Sequence, residues 1–372
     1  MTNIFNFLDI VEDKSGGNKK IPQSEYLEKG NIPVIDQGQA FIAGYTNQEE
    51  YLFNSAELPI VIFGDHTKAV KYIDFPFAMG ADGVKVLKPK DELDTKYLYH
   101  FLKYTPITDA GYSRHFKFLK EKLVPVPPLE EQRRIASILD KADDIRQKRQ
   151  QAIAKLDELL LSEFLKKFSN KNFKTVMVQE LLETEKSMRT GPFGSQLLHS
   201  EFVDEGIAVL GIDNAVKNQF QWGKPRFITE QKYKTLSRYT VQPNDVLITI
   251  MGTCGRCAVV PEDIPKAINT KHLCCITLDK TKCEPEFLHS YFLMHPTARN
   301  YLESRAKGAI MDGLNMGIIK ELPVELPPLE DQKAFVKFKK VISSQKRLME
   351  QDAEKIEQMF KSLQQKAFNG TL

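Results

Sequence analysis

A proline-headed heptapeptide occurs twice in the chain, as VPPLEEQ from Val126 to Gln132 and as LPPLEDQ from Leu326 to Gln332, 200 residues apart. Self-similarity at a large fixed distance marks a duplicated building unit. Each copy also opens a long amphipathic stretch. Proline at a helix start lacks only an N–H that would be orphaned there anyway, and acids in the first turn suit the positive end of the helix dipole. Two long helices with the same beginning are therefore predicted.

After Pro128, residues Ile135, Ile138, Ala142, Ile145, Ala152, Leu156 and Leu159 keep a and d spacing, flanked by Leu139, Ile153 and Leu160. After Pro328 the a row is apolar throughout (Phe335, Ile342, Met349, Ile356, Leu363), and the d row mixes Phe338 and Met359 with Gln345 and Asp352. Each stretch spans about 50 to 60 Å at 1.5 Å per residue. A sustained apolar seam of that length needs a partner helix, and the other copy is the obvious one. Counted from proline to a closing phenylalanine, the first stretch is 36 residues (Pro128 to Phe164) and the second 40 (Pro328 to Phe368), a difference of four that predicts a stutter.

The segments ahead of the helices echo one another as well. SEYLEKGNIPVID (Ser24 to Asp36) matches SEFVDEGIAVLGID (Ser200 to Asp213) at an offset of 176, so the second copy carries 24 extra residues before its helix. LPIVIFG, ending at Gly64, parallels DVLITIMG, ending at Gly252, as β-branched strand-type runs. YLYHFL (Tyr97 to Leu102) parallels FLHSYFL (Phe287 to Leu293) as short helices. The expected order is a globule over residues 1–127, a helix over 128–168, a second globule over 169–327, and a second helix with a tail over 328–372. At 372 residues each globule can bury its own core.

Charge excludes little. The net charge is +3, with −2 on the first globule and +1 on the second, so a nucleic-acid reader of this kind depends on local basic patches. The start, MTNIFNFLDIVEDK, has no basic region ahead of an apolar core, and no window approaches 18 apolar residues. Five cysteines, all between Cys254 and Cys283, do not form a disulfide framework. A cytoplasmic protein without a membrane segment is expected.

Catalytic signatures are missing. No HExxH, GxSxG or Walker A pattern occurs, and no Asn-Pro-Pro-aromatic signature of amino-methyltransferases, since both Pro-Pro pairs precede leucine at helix starts. Asp94-Thr95-Lys96 mimics half of a metal-dependent nuclease site, but a lysine-rich chain spells it by chance. Cys254-Gly-Arg-Cys257 followed by Cys274-Cys275 approaches a zinc ribbon until its second, adjacent pair, which a strand would point to opposite faces. Buried, inert thiols are the expectation.

Two globules each followed by a helix with a PPLxEQ-type start resemble the specificity subunit of type I restriction-modification systems. The marks are VPVPPLEEQRRIASILDKAD, ELPPLEDQ, the closing LQQKAFNGTL, GPFGSQL (Gly191 to Leu197) and FGDHTKAVKY (Phe63 to Tyr72), and the resemblance covers essentially the whole chain. It implies an α+β fold in which two similar mixed α/β target-recognition domains are separated by two long helices in an antiparallel coiled coil, a pseudo-twofold internal repeat. It implies a non-catalytic chain that binds double-stranded DNA at an interrupted site, docks two methyltransferase subunits and joins two restriction (motor-nuclease) subunits. S-adenosylmethionine, ATP and magnesium would then belong to the partners, with no cofactor or metal on this chain.

Side chains that offer hydrogen bonds to base edges read sequence, while lysines and backbone amides mostly hold phosphates. In the first globule the candidates are His66, Thr67 and Lys68 in the loop after a strand, with Arg114, His115 and Lys117 from GYSRHFK. In the second they are Arg189, Thr190, Ser195 and Gln196 around GPFGS, Thr253 and Arg256 after Gly252, and Lys271 with His272. The plainer reading of each is a solvated loop residue or a turn former. Runs on the helices, Arg133-Arg134 and Lys339-Lys340, are expected on solvated faces. Two rival functions follow from the same residues: a scaffold whose globules bind protein instead of DNA, and a nuclease built on Asp94 and Lys96.

Overall fold

The computed structural model describes residues 2–372 apart from 82, 109–110, 112, 170 and 307–312. The chain divides into two compact units, residues 1–151 with 349–372, and residues 152–348. Each unit holds one globule and parts of both long helices, so the boundary falls inside the helices and not at their ends.

The first unit runs β1 (Asn3–Asn6), α1 (Phe7–Ile10), β2 (Val11–Asp13), β3 (Ile32–Ile35), β4 (Gly44–Thr46), β5 (Ile60–Gly64), β6 (Val70–Ile73), β7 (Ala78–Met79), β8 (Val84–Pro89), α2 (Thr95–Tyr104), α3 (Phe116–Lys120), β9 (Leu123–Val126) and the start of α4 (Leu129–Phe168). The second runs from the end of α4 through β10 (Lys174–Met177), β11 (Met188–Thr190), β12 (Ile207–Leu210), β13 (Phe227–Ile228), α5 (Glu230–Leu236), β14 (Val246–Thr249), β15 (Cys257–Val259), β16 (Ala267–Asn269), β17 (Leu273–Ile276), α6 (Pro285–Met294), α7 (Pro296–Ala306), α8 (Met316–Lys320) and β18 (Pro323–Leu326) to the start of α9 (Leu329–Phe368).

The sheets repeat. In the first unit β1 pairs with β9, four strands lie in the order β2-β8-β5-β6, and three in the order β4-β3-β7; in the second β10 pairs with β18, with orders β11-β17-β14-β15 and β13-β12-β16. Pairing senses match strand for strand: both four-stranded sheets are antiparallel, and β3 with β7, like β12 with β16, is the one parallel pair of its sheet. The chain is an internal repeat with the α+β fold expected from its sequence.

The central strands β5 and β14 are buried along their whole length, which explains their continuous apolar runs. Alternate residues serve two cores. Val61 and Phe63 face the core shared with the helices, while Ile60 and Ile62 face a second cluster; Val246 and Ile248 part from Leu247 in the same way. Ladder partners equate Gly64 (opposite Val84) with Thr249 (opposite Leu273), so Gly252 lies three residues past its strand instead of matching Gly64. Much of the second unit's extra length lies between β12 and β14 and in α7.

The repeated heptapeptide has a structural task. Gln132 is fully buried: its Oε1 accepts from the Asp94 N–H (2.8 Å) and its Nε2 donates to the carbonyls of Glu92 (2.8 Å) and Pro127 (2.8 Å). Gln332 does the same, accepting from the Glu284 N–H (2.9 Å) and donating to Lys282 (3.2 Å) and Pro327 (2.9 Å). Asp94 and Glu284 are the N-caps of α2 and α6. One glutamine thus locks each long helix to the short helix of the globule before it. Gln132→Ala or Gln332→Ala leaves three backbone groups without that partner, one of them on a buried proline, and an expected loss of about 2–4 kcal/mol in its own unit follows. Denaturant unfolding of the full chain measures it, and a loss below about 0.5 kcal/mol would show that water replaces the amide.

α4 and α9 are both 40 residues long. The first closes at Phe168, buried as Phe368 is, so the two are equal in length and the expected four-residue stutter is absent. Phe164, used as the closing phenylalanine in the length comparison, is one turn short of the end. In the first unit the helices run antiparallel: Arg134 donates to the Leu372 carbonyl (2.7 Å), Arg146 meets Glu357 (3.5 Å) and Arg149 meets Asp352 (3.9 Å). In the second, Lys346 meets Asp157 (2.7 Å) and Phe164 packs edge-on against Phe335 (5.2 Å). Phe368 lies among Tyr97, Phe101 and Tyr104, and Phe168 among Phe287, Phe335 and Phe173.

The seam differs from the one expected in part of its d row. The expected a row of α9 lies inward, but on α4 Ile145 and Leu159 are exposed with Arg146 and Leu160 turned inward beside them, while Ile138 and Ala152 are half-buried next to Leu139 and Ile153. On α9, Phe338 packs against the core as expected, while Gln345, Asp352 and Met359 are exposed and Lys346, Ala353 and Phe360 turn inward beside them. Neighbouring apolar pairs such as Ile138-Leu139 and Leu159-Leu160 fit either stripe. Packing of Ile135 and Leu139 against the first globule selects one.

Lys339 is likewise not solvated. It donates to Glu286 (2.6 Å) and to Nδ1 of His289 (2.8 Å), whose Nε2 donates to the carbonyls of Asn218 and Cys257. Burial and then the Lys339 charge hold His289 neutral, pushed down to about 4. Arg133 and Lys340 are exposed as expected.

Candidate nucleic-acid interface

In each unit the loops at one end of the sheets converge. In the first, β5 ends at Gly64, where a Cβ would come within 2.3 Å of Thr67 Oγ1 and 2.8 Å of the Gln37 carbonyl, so only glycine lets the chain turn this tightly. Asp65 is buried and its Oδ1 accepts from the Phe116 N–H (2.8 Å), while its carbonyl accepts from the His115 N–H (2.7 Å). The Gln37 side chain accepts from the His66 N–H (3.2 Å), Thr67 Oγ1 donates to the Gln37 carbonyl, and Gln39 donates to the Thr67 carbonyl (3.4 Å). Lys71 crosses beneath, donating to the carbonyls of Asp36 (2.8 Å) and Ala40 (2.6 Å), with burial pulling its pKa down.

Three segments therefore share one end of this unit: residues 36–40, 64–68 and 113–116. Thr67 and Arg114 are exposed there, and His66 and Lys68 half-buried. Lys117 is exposed in the first turn of α3, its ammonium 4.8 Å from the Phe118 ring. His115 is placed otherwise than expected: it is 1% exposed, with Nδ1 3.0 Å from the Asp65 carbonyl, and joins two loops from inside. Gln37 and Gln39 were not legible as site residues, because only the fold sets them against the loop after β5.

In the second unit Arg189 is likewise part of the scaffold. Its guanidinium donates to the Thr240 carbonyl (2.6 Å), to Asp245 (2.6 Å) and to Thr277 Oγ1 (3.0 Å), and Asp245 is fully buried. A guanidinium so occupied has few donors left for a base edge. Thr190 next to it is half-buried and Gly191 follows, where a Cβ would meet the Asn269 carbonyl at 2.0 Å. Ser195 and Gln196 are exposed on a short turn, with Gln196 Oε1 accepting from the Tyr239 hydroxyl (2.8 Å).

Thr253 and Arg256 are exposed on the loop from β14 to β15, which turns at Gly252 and Gly255, both with positive φ. Lys271 and His272 stand half-exposed on the turn from β16 to β17, and the His272 carbonyl accepts from the Ile250 N–H (2.9 Å). Burial first, then Lys271 and Arg226, lower the His272 pKa and keep the ring neutral near pH 7. These four residues belong to two turns that meet at Ile250.

Beside them runs a loop the sequence did not single out, residues 211–226. Asp213 organises it, accepting from Arg226 Nη2 (2.5 Å) and from the Lys224 N–H (2.8 Å), and Asn214 donates to the Gln221 carbonyl (2.9 Å). Gly223 is required because a Cβ would sit 2.0 Å from Asp213 Oδ2. The match between Asp36 and Asp213 in the echoing segments was the available signal.

The residues of the nuclease alternative are accounted for locally. Asp94 caps α2 by accepting from the Lys96 and Tyr97 N–H groups (2.9 and 3.0 Å), and Lys96 pairs with Asp140 (2.6 Å). Cys274 packs into one core of the second unit and Cys275 into the other, as adjacent strand residues must. Burial pushes the thiol of Cys274 up to about 12 and that of Cys275 well above its ordinary range. Among the described residues no cluster of three histidine, cysteine or acidic side chains is placed to hold a metal, and no helix is long and apolar enough to cross a membrane.

Comparison with known proteins extends these observations. Residues 3–155 and 170–358 match the family profile described as the type I restriction modification DNA specificity domain. The EcoR124I/EcoR124II specificity subunit of Escherichia coli is 30% identical over 133 residues, 32% of this chain and 33% of that protein, so the match spans about a third of its length. The MjaVIII specificity subunit of Methanocaldococcus jannaschii is 23% identical over 310 residues, 78% of this chain and 73% of that protein. The Escherichia coli EcoBI specificity subunit is 23% identical over 83% of this chain and 70% of its own length. Among solved structures, a type I restriction-modification S subunit from M. genitalium superposes with a TM-score of 0.63 at 16% identity, covering 99% of this chain and 96% of that one. At that identity the likeness concerns the fold.

Proposed function

The chain belongs to the type I restriction modification DNA specificity domain family, and from that premise we propose that it is the subunit that selects the DNA sequence for a methyltransferase and endonuclease complex without catalysing either reaction. Each unit reads one half of an interrupted double-stranded site, and the long helices fix the gap between the halves. The observation that carries this reading is the repeat itself: two globules of one topology, each with a convergent polar loop end, and each locked by an equivalent glutamine to an equivalent 40-residue helix. Two similar readers on one chain fit two half-sites, as paired recognition elements do in dimeric repressors.

Thr67, Lys68, His66 and Arg114 in the first unit and Thr253, Arg256, Lys271 and His272 in the second are the leading base and phosphate contacts, with Lys117, Thr190, Ser195 and Gln196 flanking them. His115 and Arg189 support those loops from within. Two methyltransferase subunits dock on this chain, two restriction subunits complete the assembly, and S-adenosylmethionine, ATP and magnesium reside on those partners. Such an assembly works on DNA in the cytoplasm.

Methylation mapping of DNA from cells carrying the whole system gives the recognised site. Exchanging residues 1–127 for those of a relative is expected to change one half-site and leave the other and the spacer unchanged. A change in both halves would break the modular reading. A protein-binding scaffold would give no sequence-dependent protection of DNA even with its methyltransferase present, and a nuclease would cut DNA in metal alone and lose that activity in Asp94→Ala.

A further inference from the structure

The loop joining the first two strands of each three-stranded sheet, residues 36–43 in one unit and 211–226 in the other, holds one aromatic ring out in solvent. Phe41 is 50% exposed and Trp222, the only tryptophan of the chain, is 59% exposed. Both are braced from behind by a second ring set edge-on: Phe75 against Phe41 at 6.0 Å and 62°, and Phe220 against Trp222 at 5.4 Å and 85°. Phe75 and Phe220 in turn pack on the buried clusters of their own units. The loops differ in length and sequence, yet each is also tied down by an aspartate at its start, Asp36 through the Gly38 N–H (2.8 Å) and Asp213 through Lys224 and Arg226. The recurrence is one of geometry: an exposed ring, a bracing ring and an anchored loop.

An exposed ring held in a fixed direction has lost much of its rotational freedom before it meets anything, which favours binding. Its surroundings decide what it meets. Gln39 lies exposed along the Phe41 loop, and Lys224 and His272 along the Trp222 loop, so both rings stand beside donors suited to phosphates and base edges, while Thr67 and Arg226 hold the loops through Gln37 and Asp213. We propose that Phe41 and Trp222 are DNA contacts, each inserting its ring against a base-pair step of the half-site read by its unit. Apolar side chains set between base steps partly unstack them and bend the duplex, and the ease of that deformation depends on the step. Part of each half-site's selectivity then comes from a step that no hydrogen bond reads. This rests on the DNA-binding reading above.

The test uses the full chain assembled with its methyltransferase subunits and a duplex carrying the mapped site, with 2-aminopurine placed at successive positions of one half-site. Trp222→Ala is expected to weaken binding about tenfold or more and to abolish the rise in 2-aminopurine emission at one step of the second unit's half-site. Phe41→Ala is expected to do the same in the other half-site only, and Trp222→Phe to retain most of the affinity. Both positions are exposed, so an unchanged melting temperature separates these effects from misfolding. If both alanine variants bind and discriminate as the wild type does, the proposal falls while the DNA reading stands. Loss of co-purification with the methyltransferase subunit in Trp222→Ala would make the ring a protein-docking contact and overturn it. Wild-type complex without sequence-dependent binding would remove the DNA reading and this inference together.

Discussion

Replacing Arg189 by alanine is expected to destabilise the second unit by about 3–5 kcal/mol, the cost typical of leaving one member of a buried ion pair without its partner. Asp245 is fully buried and accepts from Arg189, the Gln242 N–H (2.7 Å), Thr277 Oγ1 (2.5 Å) and Cys275 Sγ (3.0 Å). Without the guanidinium its charge loses the one cation in that set, and the Thr240 carbonyl loses two donors. The double change Arg189→Met with Asp245→Leu removes both charges and should recover much of the loss, because two apolar side chains of similar volume avoid the desolvation cost. Denaturant unfolding of the full chain separates the outcomes. A stable Arg189→Ala chain with weakened DNA binding would instead return this residue to the surface role its sequence suggested.

Inserting four residues near Ala152 in α4 is expected to move methylation away from the original site and onto one with a longer spacer and the same two half-sites. Four residues add about 6 Å at 1.5 Å each, just under two base pairs at about 3.4 Å. They also turn the helix by little more than one full rotation, so the buried stripe stays on its face. A two-residue insertion turns it through about 200° and presents the charged face to the seam, and it is expected to abolish methylation at every spacing. Methylation mapping of both variants reads the effect. An unchanged spacer in the four-residue variant would show that the helices do not set the gap.

The two lines of argument were not equally legible in the amino-acid order. The doubled heptapeptide announced the repeat, and the helix starts at Pro128 and Pro328 lie within one residue of the helices observed. The glutamine that closes each heptapeptide looked like one polar residue among many. Its role in holding the N-cap residues of α2 and α6 appears only when segments some 38 and 48 residues away are brought to it. The seam of α4 and α9 shows the same limit in finer grain, since Ile145 and Leu159 satisfied the apolar spacing and lie exposed.

Site residues divide by the same rule. Thr67, Thr253 and Arg256 could be placed on exposed loops because each follows a strand and sits near a glycine turn. Arg189 and His115 stand in equally polar neighbourhoods of the sequence and face inward, because Asp245 and Asp65 arrive from elsewhere in the fold to meet them. Trp222 and Phe41 gave no signal, since a lone aromatic in a chain is usually core.

What the sequence determined by itself was the architecture: two copies of an α+β unit, each with a long helix, because hydrophobic period and helix-start chemistry are local properties written in adjacent residues. Only the tertiary structure decided which polar and aromatic side chains remain free to touch another molecule. Availability is set by what lies across the fold from a side chain, and a donor already satisfied by a buried carboxylate differs from a free one in its neighbours and not in its name.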